Sequence, residues 1–225
     1  MSNACLAIAS EQNGTPLRIA SKGASPMVLT DIYQDAVNIA IWQRKLPTEL
    51  LGSLQQYLQS NPRLSITKTI EADAIELQLR ETLPDFPGNE LLQAKVAELV
   101  DMFCCLFDLK RAGLRLKVLE HAMCPRFHVD RVPCRLVTTF YGAGTQWLPH
   151  QLVNRDRLGI KSQGLADEQS GLYSGQDCIQ VLAAGDVALL KGELWQGNEH
   201  AGLVHRSAPA SGAEKRLLLT LDFVF

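Results

Sequence analysis

Long apolar runs and an excess of charge of either sign are missing from this sequence of 225 residues. A helix that spans a bilayer needs roughly 18 consecutive apolar residues, and no stretch approaches that length, so we expect no membrane association. The 22 basic and 24 acidic residues nearly cancel to a net charge of -2. A general nucleic-acid-binding protein needs a basic face, so this balance argues against that class of partner.

Secretory features and repeats are also missing. The first basic residue is Arg18, so the sequence opens without the charged segment of a secretory signal, and we expect a cytoplasmic protein. Six cysteines in a chain of this length do not form a disulfide scaffold, and a reducing compartment would keep them as thiols. Without an internal repeat or a low-complexity tract, solenoids and propellers are excluded.

The hydrophobic period changes along the chain. Helical spacing of apolar residues predicts helices over 30–41, 47–60 and 89–110, whereas partial alternation within 63–80 predicts one or two strands. After Gly113 the apolar residues alternate with polar ones, and turn residues separate the runs. Seven short strands are predicted there, over 114–118, 134–141, 145–149, 178–183, 186–191, 202–207 and 215–225.

The order of helices first and strands second predicts an α+β fold. Residues 1–29 are predicted to form a loosely ordered arm, and residues 30–225 a single domain. Within that domain, a mainly helical layer over 30–112 would pack on an antiparallel sandwich or barrel over 113–225. The polar stretch 154–177 is long enough to be a real insertion or lid.

The run Cys-Pro-Arg-Phe-His-Val-Asp, which ends at Asp130, is the most informative stretch. Alternate residues of a strand share one face, so His128 and Asp130 would project to the same side and could chelate one metal ion. His205, in a later predicted strand, is placed to supply a third ligand. Two imidazoles and one carboxylate form a facial triad that leaves coordination positions open. Arg216, at the start of the last predicted strand, could clamp the far carboxylate of a bound dicarboxylic acid.

These residues resemble the iron(II)- and 2-oxoglutarate-dependent oxygenases, whose pattern is His-x-Asp/Glu, a distal His and a basic residue about ten positions later. The resemblance implies N-terminal helices packed on a double-stranded β-helix, or jelly-roll, barrel. It implies iron(II) bound by His128, Asp130 and His205. It also implies 2-oxoglutarate anchored by Arg216, with help from a hydroxyl group of Thr138, Tyr141 or Thr220. The substrate, a small molecule or a protein, and the oligomeric state stay open.

The sequence is also similar to a bacterial domain-of-unknown-function family. The shared segments are the Cys-Pro-Arg-Phe-His-x-Asp run, Gly142 to Leu148, and the final Val-His-Arg-Ser and Arg-Leu-Leu-Leu-Thr-Leu-Asp runs. Members of that family are often encoded beside zinc-uptake or zinc-responsive genes. This resemblance implies a role in metal homeostasis and names no reaction.

Alternatives to this interpretation remain. His128 and Asp130 could be a neutral histidine and a carboxylate hydrogen-bonded in a sandwich interior, and Arg216 could pair with a surface acid. The main rival is a zinc site, which would use His121, Cys124 and Cys134, although their spacing matches no compact zinc motif. The alternative function is a non-catalytic zinc-binding protein for storage, sensing or delivery, which would use either this set or the triad of His128, Asp130 and His205.

Overall fold

The computed structural model describes residues 17–60, 63–209 and 215–224. Over these residues the chain forms a mixed fold of strands, three α-helices and several short 3-10 helices. The strands are β1 (Ile19–Gly23), β2 (Val37–Trp42), β3 (Ser65–Glu71), β4 (Arg111–Leu119), β5 (Cys134–Tyr141), β6 (Gln146–Leu148), β7 (Gln180–Val181), β8 (Val187–Lys191), β9 (Val204–Arg206) and β10 (Arg216–Phe223). The α-helices are α1 (Thr48–Ser60), α2 (Ile75–Thr82) and α3 (Asn89–Phe107). None of the described helices is long and apolar enough to cross a membrane.

Two sheets carry the strands. The large sheet has seven strands in the order β1-β2-β8-β5-β10-β4-β3, and the small sheet has three in the order β7-β6-β9. Within the large sheet β10 is antiparallel to both of its neighbours, β4 and β5. Only β1 and β2 are described as a parallel pair. The sequence therefore predicted the mixed class and the strand-rich C-terminal half, which the structure confirms in that coarse form.

The large sheet is covered on both faces. Alternate residues of a strand point to opposite faces, so each strand contributes to two cores. On one face, Leu136 and Leu219 pack with residues of the helices, such as Leu99 of α3. On the other face, which we call the inner face, Val137 and Leu218 pack toward the small sheet, together with residues such as Trp147 of β6.

The helix α3 follows the predicted amphipathic pattern. Its buried residues lie at helical spacing: Leu92, Val96, Leu99, Val100, Phe103 and Cys104. It ends at Asp108, whose left-handed backbone (φ 52°) lets its N–H donate to the carbonyls of Cys104 and Cys105. The predictions of α1 and α3 are confirmed.

The helix predicted over 30–41 is wrong. A 3-10 helix, Pro26–Tyr33, is followed by the strand β2, all six residues of which are buried. Because β2 lies inside a sheet with both faces covered, its sequence is apolar apart from Asn38. Such a run has no regular alternation to distinguish it from a buried helix. The strand β3 confirms the first half of the prediction for 63–80, whereas the second half is the helix α2.

The predicted arm falls partly outside the described residues, because 1–16 are not among them. Its later part contains β1, which forms an outer strand of the large sheet beside β2. The polar stretch 154–177 contains short 3-10 helices and turns, and no strand. Leu172 and Tyr173 of that stretch pack against Leu148 and Val204 of the small sheet.

Candidate metal centre

His128 and His205 lie side by side because their backbones are bonded to each other. The N–H of each residue donates to the carbonyl of the other at 3.0 Å, which makes an isolated antiparallel bridge. His205 belongs to β9, which is itself held against β6. The two imidazole rings have their centroids 4.6 Å apart.

Asp130 completes a cluster of three potential ligands. Its Oδ1 lies 3.6 Å from Nε2 of His128, and its Oδ2 lies 3.4 Å from Nε2 of His205. One ligand atom from each residue lies within 4.8 Å of the others. No second group of three His, Cys, Asp or Glu residues with this convergence is found in the described part of the chain. The structure thus brings together the three residues that the sequence selected.

Backbone carbonyls orient both imidazoles. Nδ1 of His128 lies 2.9 Å from the carbonyl oxygen of Arg126, and Nδ1 of His205 lies 3.2 Å from that of Leu203. A neutral ring that donates from Nδ1 carries its lone pair on Nε2. Both lone pairs are then available for a cation beside Asp130, which is the usual arrangement of a metal-binding histidine.

Arg135 of β5 connects Asp130 to a second carboxylate. Its Nη1 donates to Oδ2 of Asp130 at 2.7 Å, while Nε and Nη2 donate to Oδ1 and Oδ2 of Asp222 at 2.7 and 3.0 Å. Asp222 lies directly opposite Arg135 in the β5–β10 register. Neither residue is predicted from the sequence, because an Arg and an Asp 87 positions apart carry no local signal.

The electrostatics keep Asp130 ionised. Burial alone would raise the pKa of its carboxyl group, but the adjacent imidazoles of His128 and His205 and the charge of Arg135 hold that pKa far below its usual range. For His128, burial lowers the pKa, whereas Asp130 and the Arg126 carbonyl raise it, and the net effect is a raised pKa. The cluster is therefore a negative carboxylate flanked by two basic nitrogens.

Arg216 is a buried cation that lacks a carboxylate partner among the described residues. It is 4% exposed, and its Nη1 donates to Oγ of Ser207 at 2.9 Å. Its Nε and Nη2 are buried without a hydrogen-bond partner in the same part of the chain. Burial lowers the pKa of this guanidinium. A buried charge with unused donors is unfavourable alone, so the geometry fits an anionic ligand that would complete it.

Register decides which hydroxyl groups share the inner face with Arg216. Residues 216, 218, 220 and 222 of β10 alternate onto one face, and Leu218 marks it as the inner face. Thr220 is therefore on this side, and so is Thr139, which pairs with Leu218. Thr138 pairs with Leu219 on the helix-covered face, where Tyr141 also packs. The structure does not bring Thr138 and Tyr141, two of the three predicted hydroxyl donors, to the side of Arg216.

The insertion 154–177 is tied to the two histidine-bearing segments through Asp167, which is 5% exposed. Asp167 Oδ2 accepts the backbone N–H of Phe127 at 2.7 Å and lies 3.3 Å from Nη1 of Arg206. Its Oδ1 lies 3.5 Å from Nε of Arg126. Phe127 and Arg206 are the immediate sequence neighbours of His128 and His205. The insertion therefore contacts both of the segments that carry the candidate histidine ligands.

The rival zinc site is not assembled. Cys134 is fully buried in the helix-covered core, where burial raises the pKa of its thiol, while Cys124 is exposed. Together with His121 these residues form no converging group in the described part of the chain. The alternative site from His121, Cys124 and Cys134 is therefore not formed by the described residues.

Comparison with solved structures places the fold beside oxygenases. The chain is similar to the dioxygenase for auxin oxidation from rice, with a TM-score of 0.51 and 11% identity over 92% of this chain and 83% of that one. It is also similar to a prolyl-4-hydroxylase from Pseudomonas putida (TM-score 0.46, 14% identity, 88% and 92% covered). A third is HygX from Streptomyces hygroscopicus, solved with nickel, 2-oxoglutarate and hygromycin B (TM-score 0.43, 10% identity, 88% and 86% covered). At such identities the likeness concerns the fold alone.

Sequence comparison assigns the family. No curated protein sequence matches the chain. A family model described as "Protein of unknown function (DUF1826)" matches residues 23–222. The chain therefore belongs to the DUF1826 family, with an oxygenase-like fold.

Proposed function

We propose that this protein is an iron(II)- and 2-oxoglutarate-dependent oxygenase with a jelly-roll core formed by its two sheets. One observation carries the proposal: a converging His-Asp-His cluster is accompanied by a buried arginine, Arg216, two of whose three nitrogens have no hydrogen-bond partner among the described residues. In a purely structural cluster, the buried Arg216 would be expected to have a carboxylate partner.

The residues present fit both groups. His128, Asp130 and His205 would hold the iron, since the set combines two neutral imidazole nitrogens with one carboxylate. Arg216 would pair with the distal carboxylate of 2-oxoglutarate through Nε and Nη2, which have no partner in the described part of the chain. Thr139 and Thr220 offer hydroxyl groups on the same face. Thr139 Oγ1 is itself buried without a partner among the described residues.

The bound iron would supply oxygen activation, coupling decarboxylation of 2-oxoglutarate to oxidation of a substrate. The protein contributes position and environment. His128 and His205 keep their Nδ1 protons on backbone carbonyls, so that Nε2 stays a ligand. The apolar inner core around Leu218 and Val137 would shield the buried portion of the co-substrate from water. The side chain of His128 is 34% exposed, so a substrate would approach from this side.

The test is an anaerobic titration of metal-free protein with iron(II) and then 2-oxoglutarate, followed by the weak visible charge-transfer band of the ternary complex. We expect the band in the wild type, no band in His128→Ala, and none in Arg216→Leu even though that variant still binds iron. Substrate-independent formation of succinate is the second measurement. If the wild type gives neither band nor succinate, the proposal fails.

The non-catalytic zinc alternative predicts a different result. A zinc-storage or zinc-delivery protein would bind zinc tightly at His128, Asp130 and His205 with no change on addition of 2-oxoglutarate. Metal analysis of the protein purified from cells identifies the bound metal. Titration of the wild type and of Arg216→Leu with 2-oxoglutarate then separates the two functions, because Arg216 matters only if an organic anion binds.

A further inference from the structure

We propose that Arg135 is a positioning residue that holds Asp130 at the metal centre, and that Asp222 in turn holds Arg135. This inference rests on the proposed metal centre and adds two residues that do not touch the metal.

Arg135 bridges the carboxylates of Asp130 and Asp222, and we call this bridge the brace. Nε and Nη2, on one edge of the guanidinium, donate to the two oxygens of Asp222. The remaining nitrogen, Nη1, donates to Oδ2 of Asp130. The side chains of Arg135, Asp130 and Asp222 are 18%, 14% and 12% exposed. A planar fork with fixed donor directions fits such a bridge, and the more flexible ammonium of a lysine does not.

Asp130 needs this support more than the histidines do. His128 is fixed by its backbone bridge to His205, and His205 is part of β9. Asp130 lies two residues beyond the bridge and outside every described strand, where its carbonyl accepts one hydrogen bond from the N–H of Glu193. Its carboxylate is therefore oriented chiefly by Arg135. Partners of this outer kind set the orientation of metal-binding carboxylates in other proteins.

The brace also fixes how Asp130 would bind. Arg135 occupies one lone pair of Oδ2, whereas Oδ1, on the side of His128, has no arginine contact among the described residues and is the oxygen that we expect to bind a cation. Coordination through one oxygen leaves more positions open for co-substrate and oxygen than coordination through two. Because Asp222 neutralises the charge of Arg135, the group of three keeps the single negative charge that attracts a divalent cation.

A competing explanation is that Arg135 and Asp222 are simply a cross-strand ion pair that stabilises β5 against β10. That role would change the stability of the fold but not the affinity for metal. Metal affinity and coordination are therefore the decisive measurements, and the free energy of unfolding is the control.

The experiment titrates the metal-free full chain with cobalt(II) and with manganese(II), following heat and the cobalt absorption spectrum. The variants are Arg135→Gln, Arg135→Lys, Asp222→Asn and the double variant Arg135→Gln/Asp222→Asn. Arg115→Gln is the matched control, because Arg115 lies 3.8 Å from Asp222 with a side chain that is 48% exposed and has no described contact with Asp130. His128→Ala serves as the reference for loss of the centre itself.

We expect Arg135→Gln to weaken metal binding by roughly 10-fold to 100-fold and to alter the cobalt spectrum. Asp222→Asn should weaken it in the same direction, Arg135→Lys should retain part of the affinity, and Arg115→Gln should bind as the wild type does. The double variant should be no weaker than Arg135→Gln, since Asp222 acts only through Arg135.

The inference is overturned if His128→Ala loses the metal while Arg135→Gln and Asp222→Asn keep wild-type affinity and spectrum. If His128→Ala itself binds as the wild type does, the metal centre, and not only its brace, is wrong. Should Arg135→Gln fail to fold, Asp222→Asn decides by the same criterion, because it preserves the shape of the side chain.

Discussion

The backbone N–H and carbonyl of His128 pair with those of His205, so main-chain hydrogen bonds alone hold the two candidate ligands at one position. The side chains are therefore not needed to keep the two segments together. This separation of scaffold from ligand makes single substitutions at the centre informative about chemistry.

We predict that His205→Ala loses metal binding while lowering the free energy of unfolding by only about 1 kcal/mol. Calorimetric metal titration and urea denaturation measure the two effects. His150→Ala is the matched control: His150 is equally buried, and burial, with Arg155 and Arg18, lowers its pKa to about 4. It lies outside the cluster, so that variant should bind metal normally. Equal loss in both variants would contradict the assignment.

Arg216→Met should separate stability from function. The side chain is buried with two nitrogens unpartnered among the described residues, so an apolar replacement removes an uncompensated charge. Without ligand, we expect the free energy of unfolding to stay the same or rise by about 1 kcal/mol. Binding of 2-oxoglutarate, measured by calorimetry, should disappear. A strongly destabilised variant would show instead that Arg216 has a structural partner in the folded protein.

Asp167→Ala should destabilise the protein by about 3 kcal/mol, because it leaves the buried Arg206 short of a partner and the N–H of Phe127 without an acceptor. Asp167→Asn retains an oxygen that can accept from Phe127 and should lose less. Urea unfolding measures both. Equal stability of the Ala variant and the wild type would mean that the insertion is not anchored through this carboxylate.

Lys191→Met gives a prediction about pH. Lys191 is 1% exposed, its Nζ donates to the Gln34 carbonyl at 3.0 Å, and burial, reinforced by Arg18, lowers its pKa to about 8 from 10.5. Below about pH 8 the folded and unfolded chains both carry the charge, so the full cost of burying it is present. Between about 8 and 10.5 the unfolded chain binds more protons, so the wild type gains stability as the pH rises.

The variant lacks this titration. The free energy of unfolding of Lys191→Met relative to wild type should therefore be most favourable near neutral pH and should decline as the pH rises through that range. Denaturation curves at several pH values give the difference directly. A difference that does not vary with pH would mean that Lys191 keeps an ordinary pKa in the folded protein.

The sequence located the three candidate ligands because they lie in short segments with clear local patterns. His128 and Asp130 share one run, and His205 lies in the short buried strand β9. Arg135 and Asp222 could not be found this way, because their pairing depends on the β5–β10 register. Asp130, Arg135 and Asp222 come into contact only after β5 and β10, which are distant in sequence, have paired.

The prediction of Thr138 failed for a related reason. Thr138 and Thr139 are both buried, so the pattern of hydrophobic residues does not show which of them points to which face of the sheet. The register shift in the β5–β10 pairing, between Leu217 and Leu218, further changes which residues of β5 lie opposite β10. Similarly, Leu77 looked like one residue of an alternating strand, but it is 59% exposed on α2.

The position of β10 has a consequence for how the molecule is made. It follows every other described strand in the chain, yet it lies between β5 and β4 and carries Arg216, Thr220 and Asp222. Before β10 has been synthesised, β4 and β5 each have one edge without its partner strand. Such edges can bind chaperones or aggregate. Arg216 and Asp222, the residues proposed to bind the anion and to hold Arg135, are then not yet in place. A product that ends before β10 should therefore be unable to assemble the proposed centre.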